Sequence, residues 1–262
     1  VYKARRSEDG KLVVIKMLSK DVLADEVAVG RFQREVRSAI QIDHPSFPLT
    51  YDVGQHEGRW WYAMEFIEGT TVADDILRSG PYDENWALTL AEQAAEGLAY
   101  AGQLNLVHRD IKPENLMLAA DGRVRLLDMG LAKTPDTQQR LTIVGTTVGT
   151  PHYMSPEQAN CDPLDFRTDM YSLGATLFHM LTGRPPFHSE SPVEVLEGVL
   201  YKEAPSPSEF NPRISVGACQ VVGRMLAKKP ADRYPSYEAL IADIRKARDG
   251  TPTGSTKRPA AS

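Results

Sequence analysis

With 262 residues, 42% hydrophobic and 25% charged, the chain has the size of one two-lobed domain or two small globular domains. Its net charge of −5 argues against nucleic-acid binding, which needs a basic face. No apolar run reaches the roughly 18 residues of a membrane-spanning helix, so no membrane contact is expected within this segment.

Residues 1–4 and 11–18 are strand-like, and Ser7-Glu8-Asp9-Gly10 between them has the Asp-Gly chemistry of a hairpin turn. Residues 25–40 have helical spacing, with Phe32, Val36 and Ala39/Ile40 on one face. His44-Pro45 ends that helix, because the residue before proline avoids helical dihedrals. Two further strands are expected at 49–55 and 60–66, separated by a turn at Gly58. The character then changes. A short helix over 71–78 closes at Ser79-Gly80-Pro81, and a longer amphipathic one covers 84–103. A strand is expected over 124–127 after the Asp121-Gly122 turn. Residues 168–181 are apolar around most of their surface, which predicts a buried helix. Helices over 192–202, 216–227 and 236–247 follow, then a linker-like tail over 250–262 with the composition of a disordered segment. The sum is an α+β fold: a small β-rich lobe over 1–66, a connector near residues 65–69, and a larger helical lobe over 67–249. Ligand sites favour such clefts between lobes.

The chemistry is concentrated in His108-Arg109-Asp110-Ile111-Lys112-Pro113-Glu114-Asn115, with Asp128-Met129-Gly130 a short hairpin later. Asp110 can take up or orient the proton of an attacking hydroxyl. Lys112 can offset charge on a transferred phosphoryl group. Asn115 and Asp128 offer one neutral and one charged oxygen to Mg2+, which usually takes only one or two carboxylates. Lys16 ends the strand-like Val13-Val14-Ile15-Lys16 and can neutralise phosphate as a point charge. Glu35 on the predicted helix is a candidate to hold it, with Arg31, Arg34 and Arg37 as competing partners. Taken singly, each reads as a solvated strand, helix or turn residue; the ordered set does not. Cys161 and Cys219, the only cysteines, stand in no metal-ligand spacing.

The set resembles the protein kinase catalytic domain, specifically the eukaryotic-like serine/threonine kinases of bacteria. Val13-Val14-Ile15-Lys16 is similar to V-A-I-K. His108 to Asn115 matches the catalytic loop, Asp128-Met129-Gly130 is similar to D-F-G, and Ser155-Pro156-Glu157 to A-P-E. Asp169 to Gly174 resembles the central-helix D-x-x-x-x-G, and Arg233 the late arginine that pairs with Glu157.

The resemblance implies transfer of the γ-phosphoryl group of ATP, with Mg2+, to serine or threonine hydroxyls of protein substrates. Lys16 would hold the α/β-phosphates, Glu35 would hold Lys16, Asp110 would serve the acceptor hydroxyl and Lys112 the γ-phosphate. Asn115 and Asp128 would bind the metal. Met64 would limit the depth behind the adenine, and the backbone of Glu65 and Ile67 would meet its edge. Lys112 and Gly149-Thr150-Pro151 point to the serine/threonine branch, with Thr150 bonding toward Asp110 and Lys112. Arg109, directly before Asp110, is the arrangement expected where a phosphorylated loop threonine orders the site. Thr142, Thr146 and Thr147 are the candidates, and a second copy of the kinase is the expected partner for autophosphorylation.

Val1 matches the valine after the glycine-rich phosphate loop, so the chain reads as a domain cut inside its first lobe. Weak turnover is expected of the isolated segment. A pseudokinase or scaffold without turnover is the alternative. The resemblance places the chain in the cytoplasm, alone or as the cytoplasmic domain of a longer membrane-anchored protein.

Overall fold

The computed structural model describes residues 1–17, 29–30, 36, 40–128 and 151–250. Seven strands and seven helices are found among them, together with short 3-10 turns. Strands β1 (Tyr2–Arg5), β2 (Leu12–Met17), β3 (Thr50–His56) and β4 (Arg59–Glu65) form an antiparallel sheet ordered β1-β2-β4-β3. The first hairpin turns where expected: Gly10 has φ 72, a region open to glycine, and Arg6 N–H reaches the Lys11 carbonyl at 2.8 Å. The period-two pattern of β4 divides its aromatics between the two faces. Tyr62 packs with Trp60 and Met64 against fully buried Val36 on one face. Trp61 lies on the other, over Gly54 of the paired strand, where a Cβ would sit 2.6 Å from the indole. Most of the helix expected over 25–40 lies outside the described residues; Val29, Gly30 and Val36 have helical backbone, and Ile40 N–H bonds to the Val36 carbonyl.

A second, three-stranded sheet joins the two parts of the chain: β5 (Gly69–Thr71), β6 (Leu116–Ala119) and β7 (Val124–Leu126), antiparallel in that order. The sequence pattern showed only β7, because strands of three and four residues are too short to display alternation. The helices are α1 (Val72–Ser79), α2 (Glu84–Gln103), α3 (Pro156–Ala159), α4 (Phe166–Thr182), α5 (Pro192–Tyr201), α6 (Val216–Met225) and α7 (Tyr237–Arg248). Their starts are marked chemically. Thr71, Asp83, Ser155, Asp165, Ser215 and Ser236 each accept a backbone N–H from the first turn. At the other end of α4, Gly183 caps the helix in the left-handed region with φ 77. Among the described residues, no helix is long and apolar enough to cross a membrane.

Helix α4 is the centre of the core. It is buried without interruption from Thr168 to Phe178, and α2 and α6 pack on it. Gly174 permits the closest approach, since a Cβ there would stand 2.6 Å from the Met225 Cβ of α6. Replacing Gly174 by alanine is therefore expected to lower stability by about 1–3 kcal/mol through overpacking. Urea unfolding checks this, and an unchanged midpoint would show that α6 shifts at no cost. Ile42, Ser46 and Phe47, which lie before β3, insert into the helical part rather than the first sheet. The Ser46 carbonyl accepts from Leu126 N–H at 2.7 Å, and its hydroxyl donates to the Gln93 carbonyl of α2 at 3.0 Å.

The histidine-rich corner beside α4 carries a pH signature. Burial pushes His179 down to about 4, and its Nδ1 lies 2.6 Å from the Tyr153 hydroxyl. Depressed in the fold but near 6.5 when unfolded, this base favours the folded state above about pH 6.5 and loses that contribution as pH falls towards 4. The melting temperature should fall further over that interval in the wild-type protein than in His179→Gln.

Candidate active site

Helix α4 builds the segment around Asp110 from below. Asp169 in its first turn accepts the N–H groups of His108 at 2.6 Å and Arg109 at 2.7 Å. Burial pushes the Asp169 carboxyl up to about 7, while those two N–H bonds pull against the rise. Gln158 of α3 donates to the Arg109 carbonyl at 3.1 Å. His108 and Ile111 are buried beneath the chain, and Arg109 is held in the left-handed region with φ 65. A non-glycine residue persists there only where its surroundings over-determine it, and here Asp169 and Gln158 grip the peptide units on both sides.

The Asp110 side chain is thereby presented at the surface of the helical part. Asn115 Nδ2 donates to its carbonyl at 2.8 Å and to its Oδ2 at 2.9 Å. Both acceptors are oxygens, which fixes the amide with Oδ1 turned away from Asp110. Lys112 Nζ stands 3.6 Å from the same Asp110 oxygen. The Asn115 carbonyl accepts from Leu127 N–H at 2.8 Å, so Asn115 lies one residue from Asp128 across the β6–β7 pair.

Asp128 reaches back to the first sheet. Its backbone is left-handed with φ 53, and its Oδ1 lies 2.6 Å from Lys16 Nζ on β2. Both side chains keep about a third of their surface exposed, at 30% and 35%, so this pair contributes little to stability but brings sheet and helical part together at the site. Tyr62, directly opposite Lys16 across β2 and β4, shares its face.

Of the sequence-predicted residues, Lys16, Asp110, Lys112, Asn115 and Asp128 thus surround one region. Arg109 lies directly beneath it. Met64 packs in the Tyr62–Val36 cluster. The Glu65 N–H is engaged by the Leu49 carbonyl at 2.8 Å, and Ile67 has no backbone hydrogen-bond partner among the described residues. Val1 is 80% exposed. Glu35, Thr142, Thr146, Thr147 and Thr150 lie outside the described residues. Glu157 and Arg233 form a buried, two-pronged ion pair at 2.7 and 2.8 Å behind α3. Sequence reasoning passed over Gln158, which carried a signal in Ser155-x-x-Gln158, the capping-box spacing that the structure contains.

A family model described as the protein kinase domain matches residues 1–243. The chain belongs to the protein kinase family. It is 37% identical over 237 residues to the serine/threonine-protein kinase PrkC of Bacillus subtilis, covering 90% of this chain and 36% of that protein. It is 38% identical over 255 residues to the serine/threonine-protein kinase pkn3 of Myxococcus xanthus, covering 94% and 47%. The chain thus spans less than half the length of these curated relatives. Among solved structures, the kinase domain of Mycobacterium tuberculosis PknI superposes with a TM-score of 0.76 at 28% identity, covering 94% of this chain and 90% of that one. The relatives named above are serine/threonine-protein kinases of bacteria, and the protein kinase family generally uses ATP and Mg2+.

Proposed function

We propose that the protein transfers the γ-phosphoryl group of ATP to serine and threonine hydroxyls of proteins. The observation that carries this is the convergence of Lys16, Asp128, Asn115, Asp110 and Lys112, from two separate parts of the fold, on one region. The acceptor hydroxyl oxygen bonds to the γ-phosphorus, the bond from that phosphorus to the β,γ-bridging oxygen breaks and leaves ADP, and the hydroxyl proton passes to Asp110. Asn115 orients the Asp110 carboxylate by the bond to Oδ2. Lys112, 3.6 Å from that oxygen, offsets charge on the phosphoryl group. Lys16 leaves Asp128 to hold the α/β-phosphates, and Glu35 is the proposed partner that holds Lys16. The adenine lies along residues 65–67, depth-limited by Met64. With its N–H engaged, Glu65 offers its carbonyl, while Ile67 offers both backbone groups.

The donor set suits magnesium: the Asp128 carboxylate supplies charge, and Asn115 Oδ1 is the amide oxygen left over once Nδ2 is committed to Asp110. Bound Mg2+ neutralises phosphate charge. Lys112 and Thr150 favour the serine/threonine branch. Phosphorylation of Thr142, Thr146 or Thr147 by a second copy, read by Arg109, is the proposed control. A division into lobes at 1–66 and 67–249 goes with this reading, as does a cytoplasmic location.

A thermal shift tests the binding half of the proposal. MgATP should raise the melting temperature of the full-length protein, since a ligand bound only by the folded state stabilises it by mass action. The rise should shrink in Lys16→Met. No rise in the wild-type protein would overturn the reading.

A further inference from the structure

We propose that Gln158 is a positioning residue for the transfer: its buried side-chain amide ties the Arg109–Asp110 peptide to the start of α3, so the aim of Asp110 depends on how residues 151–158 are seated. This deepens the phosphotransfer reading above and rests on it. Gln158 is only 4% exposed. Its Oε1 accepts the Ser155 N–H at 3.1 Å, and its Nε2 donates to the Arg109 carbonyl, also at 3.1 Å. One partner is a donor and the other an acceptor, which fixes the amide in this orientation. The Ser155 hydroxyl accepts the Gln158 backbone N–H at 3.3 Å, and neighbouring Glu157 is locked to Arg233. The amide therefore reaches out from a firmly held base.

A helix start alone does not call for glutamine here. The capping box uses only the side-chain oxygen, which glutamate supplies equally. The nitrogen is what glutamine adds, and it is spent on a segment 49 residues away in sequence. Its acceptor sits at the joint of the Asp110 segment. Asp169 takes the N–H groups of His108 and Arg109, on the near side. Asn115 donates to the Asp110 carbonyl and Oδ2, on the far side. Between them lies the Arg109–Asp110 peptide, entered from a left-handed residue with φ 65. Rotation of that peptide swings the Asp110 side chain directly, and Gln158 holds its oxygen. At the other end of the link, Ser155 stands two residues after the 3-10 turn Pro151–Tyr153. A shift of that turn thus reaches Asp110 through a single side chain.

The test is Gln158→Glu in the full-length protein, with kcat and MgATP affinity measured side by side. The variant keeps the oxygen that the cap needs and turns a carboxylate, not a donor, towards the Arg109 carbonyl. Misplacing a reacting group slightly is costly, so kcat should fall about 10–100-fold. MgATP affinity should keep its wild-type value, since Lys16 and Asp128 are untouched. Lowering the pH should narrow the deficit relative to wild type. Burial raises the introduced carboxyl, and once protonated it donates an O–H in place of the amide. Gln158→Met, of similar length and without a donor, carries the same kcat expectation without the rescue in acid, should the first variant fold poorly. Unchanged kcat in a folded variant would overturn the assignment. So would equal losses of kcat and MgATP affinity, or a Gln158→Glu deficit that is the same at every pH, either of which would mark Gln158 as packing alone. Absence of phosphoryl transfer by the wild-type protein would overturn the phosphotransfer reading, and this assignment with it.

Discussion

Replacing Asp110 by asparagine is expected to lower phosphoryl transfer by about 10²–10⁴-fold, the range typical of a positioned acid or base. The change removes the negative charge and the proton acceptor but keeps an oxygen that Asn115 Nδ2 can still bond, now 2.9 Å away in the native pair. The neighbouring peptide units stay gripped by Asp169 and Gln158. Fold and MgATP binding should therefore survive, which separates a chemical defect from an architectural one. Steady-state transfer rates and a nucleotide titration on the same preparation check both halves. Equal transfer rates in the two proteins would remove Asp110 from the mechanism.

Arg233→Met is expected to cost about 3–5 kcal/mol of stability, because it strands a buried carboxylate. Arg233 is 2% exposed and Glu157 7%. The guanidinium also donates to the carbonyls of Ala227 at 2.9 Å, Arg167 at 2.7 Å and Lys228 at 3.1 Å, and lies over the Tyr171 ring. Burial works to raise the Glu157 carboxyl, but Arg233 and then Thr168 bring it below its ordinary value. A depressed carboxyl contributes stability above its unfolded pKa and loses it as pH falls through the folded one. The wild-type protein should thus lose its advantage over Arg233→Met in acid, below about pH 4.5. Arg233→Lys should recover only part, since one ammonium cannot replace a fork that serves two carboxylate oxygens and three carbonyls. Denaturant unfolding as a function of pH reads all three outcomes. A loss below about 1 kcal/mol would show that the pair behaves like a surface contact.

The long elements were legible because their patterns run for several turns. Helix α2 occupies Glu84–Gln103, the span its apolar spacing predicts, and α4 extends the expected 168–181 only at its ends, to Phe166–Thr182. Short elements were not. β5 has three residues and α3 four, fewer than one clear period of either pattern. The site was legible as a set of residue types, since Lys16, Asp110, Asn115 and Asp128 stand in a motif order that chance seldom produces. Its internal geometry was not. Nothing in Val13-Val14-Ile15-Lys16 says that the amine meets Asp128, because that contact depends on how the first sheet sits against β7.

The central claim is phosphoryl transfer to serine and threonine, and label transfer tests it most directly. The full-length protein is incubated with γ-labelled ATP, Mg2+ and a generic protein acceptor, and the acceptor is hydrolysed to identify the labelled amino acid. Label on phosphoserine and phosphothreonine, absent from phosphotyrosine and lost in Asp110→Asn, is the result predicted. Unlabelled acceptor and unlabelled enzyme, from a folded protein that binds MgATP, would contradict it.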